Sequence, residues 1–254
     1  MTAPAGSPTS ASKVPAVTLV FWVLKILATT LGETAGDTLS MTLGLGYLAA
    51  TAVFAAVFVA AVAAQIAARR FHPWIYWATI IATTTVGTTL ADFATRSLGI
   101  GYAGGSALLL VLLLGSLAVW HRATGTVSVE SVRTPREETF YWVTIMFSQT
   151  LGTALGDWTA DTAGFGYSGA AVVFGGLLAL IAAAYFRTRV SRTALFWAAF
   201  VLTRPLGAVL GDLLDKPVAS GGFAFSRPLA SAVLLTVMVA CLVLFPQRAA
   251  GRAH

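Results

Sequence analysis

The sequence has one cysteine, Cys241, and it lies inside an apolar run. An intramolecular disulfide framework and a cysteine-built metal cluster are therefore excluded. Histidine is nearly as scarce: His72, His121 and His254 are scattered, which argues against a histidine-ligated zinc or haem site. Charge is the third shortage, because Asp, Glu, Lys and Arg make up 10% of 254 residues against 57% hydrophobic residues. With a mean hydropathy of +0.81, that balance does not describe a soluble domain of this size. The chain has no nucleophile elbow with a Ser-His-Asp order, no Gly-rich phosphate loop after a strand and no His-Glu-x-x-His string. No enzymatic activity is expected.

What is present is long apolar sequence. Runs at 16–40, 47–68, 74–95, 102–120, 139–160, 166–186, 194–214 and 228–246 are each near the roughly 20 residues that span about 30 Å of hydrocarbon. The expected fold class is all-α, a polytopic membrane protein with eight transmembrane helices. The net charge is +6, but the basic residues flank the apolar runs instead of forming a patch, so a nucleic-acid partner is not expected. Arg69 and Arg70, then Arg122, Arg133 and Arg136, then Arg187, Arg189 and Arg192 mark loops expected on the cytoplasmic side. Both termini then lie inside, as tails over 1–15 and 247–254, the first expected to be disordered. A cytoplasmic linker is expected over 121–138.

Laid against itself, the chain shows a fourfold repeat. Phe21, Tyr76, Tyr141 and Phe196 are each followed directly by Trp22, Trp77, Trp142 and Trp197. Eleven residues after each start stands Gly32, Gly87, Gly152 or Gly207, and four further on Gly36, Ala91, Gly156 or Gly211. The next residue is always aspartate: Asp37, Asp92, Asp157 and Asp212. The units run over 16–70, 71–122, 139–189 and 193–246. Each holds two spans, so all share one orientation, giving four parallel two-helix repeats with a pseudo-fourfold or nested twofold arrangement. The aromatic-Trp opening, the Gly-x-x-x-small-Asp signature and the turns Gly44-Leu45-Gly46-Tyr47, Gly99-Ile100-Gly101-Tyr102 and Gly164-Phe165-Gly166-Tyr167 resemble a bacterial membrane-protein family built from four tandem two-helix repeats of unknown function. The resemblance covers 20–246. It implies this architecture and a bacterial cytoplasmic (inner) membrane, and leaves the activity open. The fourth unit departs from it at Ala219-Ser220-Gly221-Gly222.

In each first helix, steps of four residues stay near one face, since each step advances about 400° at 3.6 residues per turn. That face reads Lys25, Ile80, Ile145 and Phe200, then Thr29, Thr84, Gln149 and Arg204, then Glu33, Thr88, Thr153 and Ala208, then the four aspartates. One step further come Met41, Arg96, Asp161 and Lys216. Ionisable groups at membrane depth cost roughly 2.5–3.5 kcal/mol on insertion scales, so they belong on the interior. The second helices carry almost none and are expected to form a lipid-facing outer ring. Gly32, Gly36, Gly87, Gly152, Gly156, Gly207 and Gly211 are expected to serve helix packing, and the four repeat tryptophans to anchor at the bilayer interface.

Asp37, Asp92, Asp157, Asp212 and Glu33 outnumber Lys25 and Arg204 by about three charges, while Arg96 and Lys216 are offset by Asp161 and Asp215. The excess, with hydroxyl and amide oxygens on Thr29, Thr84, Thr88, Gln149 and Thr153, suits a hard cation. The string Glu33-Thr34-Ala35-Gly36-Asp37-Thr38 resembles the Glu-x-Gly-Asp-basic-hydroxyl signature of a family of manganese and calcium exporters, with an extra residue between the acids and Thr38 at the basic position. The expected function is a transporter or channel for cations such as Mn2+, Ca2+ or Mg2+ through an aspartate-lined centre, the five acids being the metal candidates. Lys25, Arg96, Asp161, Arg204 and Lys216 would pair charges or gate. Two alternatives stand beside it: a proton-coupled carrier of a small organic or anionic solute, and a non-transporting scaffold or accessory subunit. No cofactor beyond a bound cation is expected. The partners are the lipid bilayer and a small ion or solute, with a homo-oligomer compatible.

Overall fold

The computed structural model describes residues 12–251. It is all-α, with eight long helices in four repeat pairs: α1 (Leu19–Asp37), α2 (Gly46–Ala67), α3 (Pro73–Asp92), α4 (Tyr102–Thr124), α5 (Pro135–Asp157), α6 (Gly166–Arg187), α7 (Arg192–Asp215) and α8 (Arg227–Leu244). Six of them are long and apolar enough to cross a membrane. The exceptions, α3 and α5, are as long but richer in Thr, Ser and Gln, and they are lined by other helices.

The first helices of the four units, α1, α3, α5 and α7, form a closed ring in which each touches the next and α7 returns to α1. Their faces are buried, whereas α2, α4, α6 and α8 expose Val57, Val111, Leu180 and Val243 along their outer sides. The repeats are not self-packed hairpins. Each outer helix packs chiefly on the inner helix of the following unit, α2 on α3, α4 on α5, α6 on α7, and α8 back on α1. The four units are thereby interlocked, because no repeat buries its own apolar face alone.

The join within a unit explains this offset. In the first three units the inner helix continues past its aspartate as a π-helical turn, Thr38–Thr42, Phe93–Ser97 and Trp158–Thr162. Each is closed by a five-residue bond such as Leu43 N–H to Thr38 O at 2.9 Å. The Gly-x-Gly that follows has both glycines at positive φ, 70° and 75° for Gly44 and Gly46, a conformation that a Cβ disfavours. The chain so turned starts the outer helix over the neighbouring unit. In the fourth unit α7 stays α-helical to Asp215, and a 3-10 turn at Val218–Ser220 replaces the Gly-x-Gly-Tyr turn.

The end of the ring opposite the aspartates is sealed by aromatic rings. Phe21, Tyr76, Tyr141 and Phe196 are buried together with Trp77, Trp142, Trp197 and Trp120 of α4, and the Tyr76 and Tyr141 hydroxyls share a hydrogen bond of 2.5 Å. This corrects the interfacial reading of the repeat tryptophans: Trp77, Trp142 and Trp197 are core residues, and Trp197 Nε1 donates to Val127 O at 2.9 Å. The linker supplies that carbonyl, so it is part of the seal.

The tail expected to be disordered over 1–15 is ordered from Ser12; its earlier residues lie outside those described. Lys13 Nζ meets Glu138 Oε1 at 2.6 Å and donates to Ile66 O at 3.1 Å, while Ser12 Oγ donates to Val129 O at 2.7 Å. Ala250 N–H donates to Val14 O and Ala16 N–H to Arg248 O, so the segments at Val14–Ala16 and Arg248–Ala250 strap this face. Replacing Lys13 by Met leaves Glu138 buried without its base and is expected to cost about 1–3 kcal/mol. Adding Glu138→Gln should recover most of that loss, read as the thermal midpoint in detergent.

Candidate functional site

Above the aromatic seal the ring is filled layer by layer, and the glycines determine how. A Cβ on Gly32 would overlap Thr84, on Gly152 the Cβ and Cγ of Arg204, and on Gly207 Thr29; on Gly87 it would press on Gln149 at 3.1 Å. Each glycine thus receives the side chain eight residues into the next unit, going round the ring. The second small residue repeats the relation one turn higher, with Thr88 against Gly36, Ala208 against Gly156 and Glu33 against Gly211. Removing side-chain bulk at these points lets the polar residues of the neighbouring helix reach the axis.

Lys25, Ile80, Ile145 and Phe200 form the first layer, all fully buried. Lys25 Nζ lies 4.1 Å from the centre of the Phe200 ring and 3.3 Å from Gln149 Oε1. Among the described residues no carboxylate is within 4 Å of it, which corrects the expectation that Lys25 neutralises an acid.

Arg204 spans the next two layers. Its Nη2 donates to Glu33 Oε2 at 2.9 Å, Thr88 Oγ1 at 2.6 Å and Thr153 Oγ1 at 2.5 Å, and Nη1 reaches Thr29 O at 3.4 Å. One guanidinium on α7 therefore holds α1, α3 and α5 at once. The hydroxyls of Thr29 and Thr84 turn onto backbone carbonyls, Thr203 O and Ala28 O, both at 3.2 Å. Two donors here have no acceptor among the described residues, Arg204 Nε and Gln149 Nε2. Pro205 removes one rung of the α7 ladder beside Arg204, yet α7 runs unbroken through it.

The aspartates form two bridged pairs instead of an open ring. Arg96 joins Asp92 (2.9 Å) to Asp157 (3.3 Å), and Lys216 joins Asp212 (2.9 Å) to Asp37 (3.1 Å). The cations come from equivalent positions of the second and fourth units, and each holds its own aspartate and that of the next unit. Packing in the ring is fourfold, whereas its charge is twofold. Asp161, expected to offset Arg96, is exposed and forms no ion pair among the described residues. Arg227, overlooked in the sequence because it opens an outer helix, pairs with Asp215 (3.0 Å) and reaches Asp37 (3.7 Å). Its visible signal was position, an arginine at the aspartate end.

Of the five proposed metal ligands, the structure brings Asp37 and Asp212 together with a third carboxylate, Asp215, within 4.8 Å. Glu33 is held by Arg204, and Asp92 and Asp157 by Arg96. Two cations, Lys216 and Arg227, share the three carboxylates of this group.

A family model described as "Repeat of Unknown Function (DUF347)" matches the chain four times, over 20–71, 75–126, 140–191 and 195–246. The chain belongs to this family. Each DUF347 match starts beside the aromatic-Trp pair and covers one inner helix, its aspartate and the outer helix that follows, so the interlocking ring is made of the family's repeats. Neither the curated proteins nor the solved structures include a match to the chain.

Proposed function

We propose that the protein is a proton-coupled carrier of a small anionic solute, with Arg204 as the group that binds it. The observation that carries this reading is the buried Arg204–Glu33 ion pair at the centre. Glu33 is the one carboxylate on Arg204; among the described residues Lys25 has no carboxylate within 4 Å and donates to Gln149 Oε1, and Gln149 Nε2 and Arg204 Nε have no acceptor. Protonation of Glu33 would free the guanidinium, and an anion could take its place with charge-assisted hydrogen bonds. A scaffold has little use for such groups, since apolar replacement of a buried ion pair is often neutral or stabilising by about 1–4 kcal/mol.

The Arg-rich loops support a reading in which the aromatic seal and both termini face the cytoplasm across a bacterial inner membrane. The aromatic layer would then be the inner gate, and the Arg96 and Lys216 bridges the outer one. The cation reading is less favoured, because Glu33, Asp37, Asp92, Asp157, Asp212 and Asp215 each have a basic partner within 4 Å, although the six carboxylates share four cations, Arg96, Arg204, Lys216 and Arg227. It keeps one supporting observation, the Asp37, Asp212 and Asp215 group.

Lys25→Met tests carrier against scaffold. A charge at this depth costs roughly 2.5–3.5 kcal/mol, and the Phe200 contact returns about 2 kcal/mol. The variant is therefore expected to be more stable by about 1 kcal/mol, raising the midpoint by about 2–4 °C, while solute uptake falls at least tenfold. The assay is accumulation of labelled carboxylates and inorganic anions by proteoliposomes under an acid-outside gradient. Wild-type vesicles that accumulate no anion but pass Mn2+ or Ca2+ would overturn the carrier in favour of the cation pathway. Unchanged anion uptake by Lys25→Met would remove Lys25 from the site.

A further inference from the structure

We infer that the flank of the bundle carries a binding site for an anionic phospholipid of the surrounding bilayer, independent of any transported solute. At the aromatic end a groove of about 780 Å³ runs between α1, α6 and α7, within the roughly 300–1,000 Å³ of pockets that enclose ligands. Its walls are apolar, with Leu19 and Ile26 from α1, Leu178 and Ile181 from α6, and Leu195 and Ala199 from α7. Thr203 reaches its floor, but that hydroxyl is committed to Phe200 O at 2.8 Å and offers the groove no polar contact. Whatever enters deeply must therefore be hydrocarbon.

The rim has the opposite character. Arg192 lines it, with the guanidinium stacked 4.2 Å over the Tyr185 ring, and Arg187 and Arg189 stand exposed in the same turn between α6 and α7. Among the described residues these three arginines have no carboxylate within 4 Å. The acid on the facing wall, Glu130, accepts a hydrogen bond from Ser128 Oγ. An apolar slot with Arg192 at its rim, held by the Tyr185 carbonyl and ring, and with Arg187 and Arg189 exposed in the adjoining turn matches one chain of a lipid joined to a phosphate. Basic pockets between transmembrane helices bind such headgroups, and the planar guanidinium suits phosphate oxygens. Since the bilayer is already apolar, seating the chain gains little by itself. Selection must lie in the headgroup, so the site should prefer phosphatidylglycerol to phosphatidylcholine of the same chain length.

Native mass spectrometry of the delipidated protein, titrated with each lipid in turn, measures this. Wild-type protein is expected to retain one phosphatidylglycerol at least tenfold more strongly than phosphatidylcholine. Arg189→Ala combined with Arg192→Ala should erase the preference while the delipidated midpoint stays unchanged. Ala182→Trp, on an exposed groove residue, should fill the slot and remove retention of both lipids. Equal retention by the wild type, a preference that survives the double arginine change, or retention unaffected by Ala182→Trp would each overturn the proposal. Should the arginine double variant unfold, the wild-type preference and Ala182→Trp decide it.

Discussion

Arg204→Met on its own is expected to destabilise the fold by about 3–5 kcal/mol, the range for removing one partner of a buried ion pair. The reason is what stays behind. Glu33 would remain at the centre of the ring as a carboxylate without a base, and Thr88 Oγ1 and Thr153 Oγ1 would lose the donor that links their helices. Glu33→Gln alone should cost less, because the guanidinium keeps both threonine oxygens and the Thr29 carbonyl. Combined, the two changes remove both charges, and the double variant is expected to recover most of the stability lost by Arg204→Met. Thermal unfolding of the four proteins in one detergent closes the cycle. A double variant no better than Arg204→Met would mean that the loss comes from the threonine bonds and not from the stranded charge.

The same double variant separates architecture from activity. It should be folded and unable to accumulate an anion, as Arg204 is the binding group in the proposed carrier. If it carries solute as well as the wild type does, the centre is a structural clasp and the transported species, if any, travels elsewhere.

Much of this centre was legible in the sequence, because steps of four from a repeated aromatic-Trp start select one face of each inner helix. That rule lists Lys25, Arg204, Glu33 and the aspartates in their observed layers. It does not say which helix is the neighbour of which, and the charge partners follow from that. Arg96 stands four residues after Asp92 and pairs with it, but its second partner is Asp157 on the next helix, and only the direction of travel round the ring reveals it. The π-helical turns left no composition signal, although they displace the outer helices onto the following unit. The tryptophans were misplaced for a related reason. A belt preference describes residues that meet lipid, whereas Trp77 packs on Phe21 and Trp142 on Tyr76, in each case the opening aromatic of the preceding unit. Lys13 and Arg227 lie outside the repeat pattern altogether, so the steps of four reach neither.

The direction of travel makes a graded prediction for the glycines. Gly152→Ala, Gly207→Ala and Gly32→Ala place a methyl inside Arg204, Thr29 and Thr84 respectively, and neither helix can retreat without opening a contact on its other side. Overpacking of this kind costs about 1–3 kcal/mol or more, and the upper end is expected for Gly207, where the Thr29 main chain is also only 2.9 Å away. Gly87→Ala meets Gln149 at 3.1 Å and should fall near the lower end. Gly175→Ala and Gly176→Ala, with nothing within 4 Å, are expected to stay within about 0.5 kcal/mol of wild type. Thermal midpoints of this series rank the sites. The Gly152 variant carries an additional expectation, because its methyl displaces the stem of Arg204 and thereby its grip on Glu33. Anion uptake by this variant should fall further than its stability alone would predict, whereas uptake by Gly32→Ala should track the folded fraction. If all three ring glycines tolerate alanine without loss, the inner helices are not in contact in the order α1, α3, α5, α7, and the layered centre built on that order fails with it.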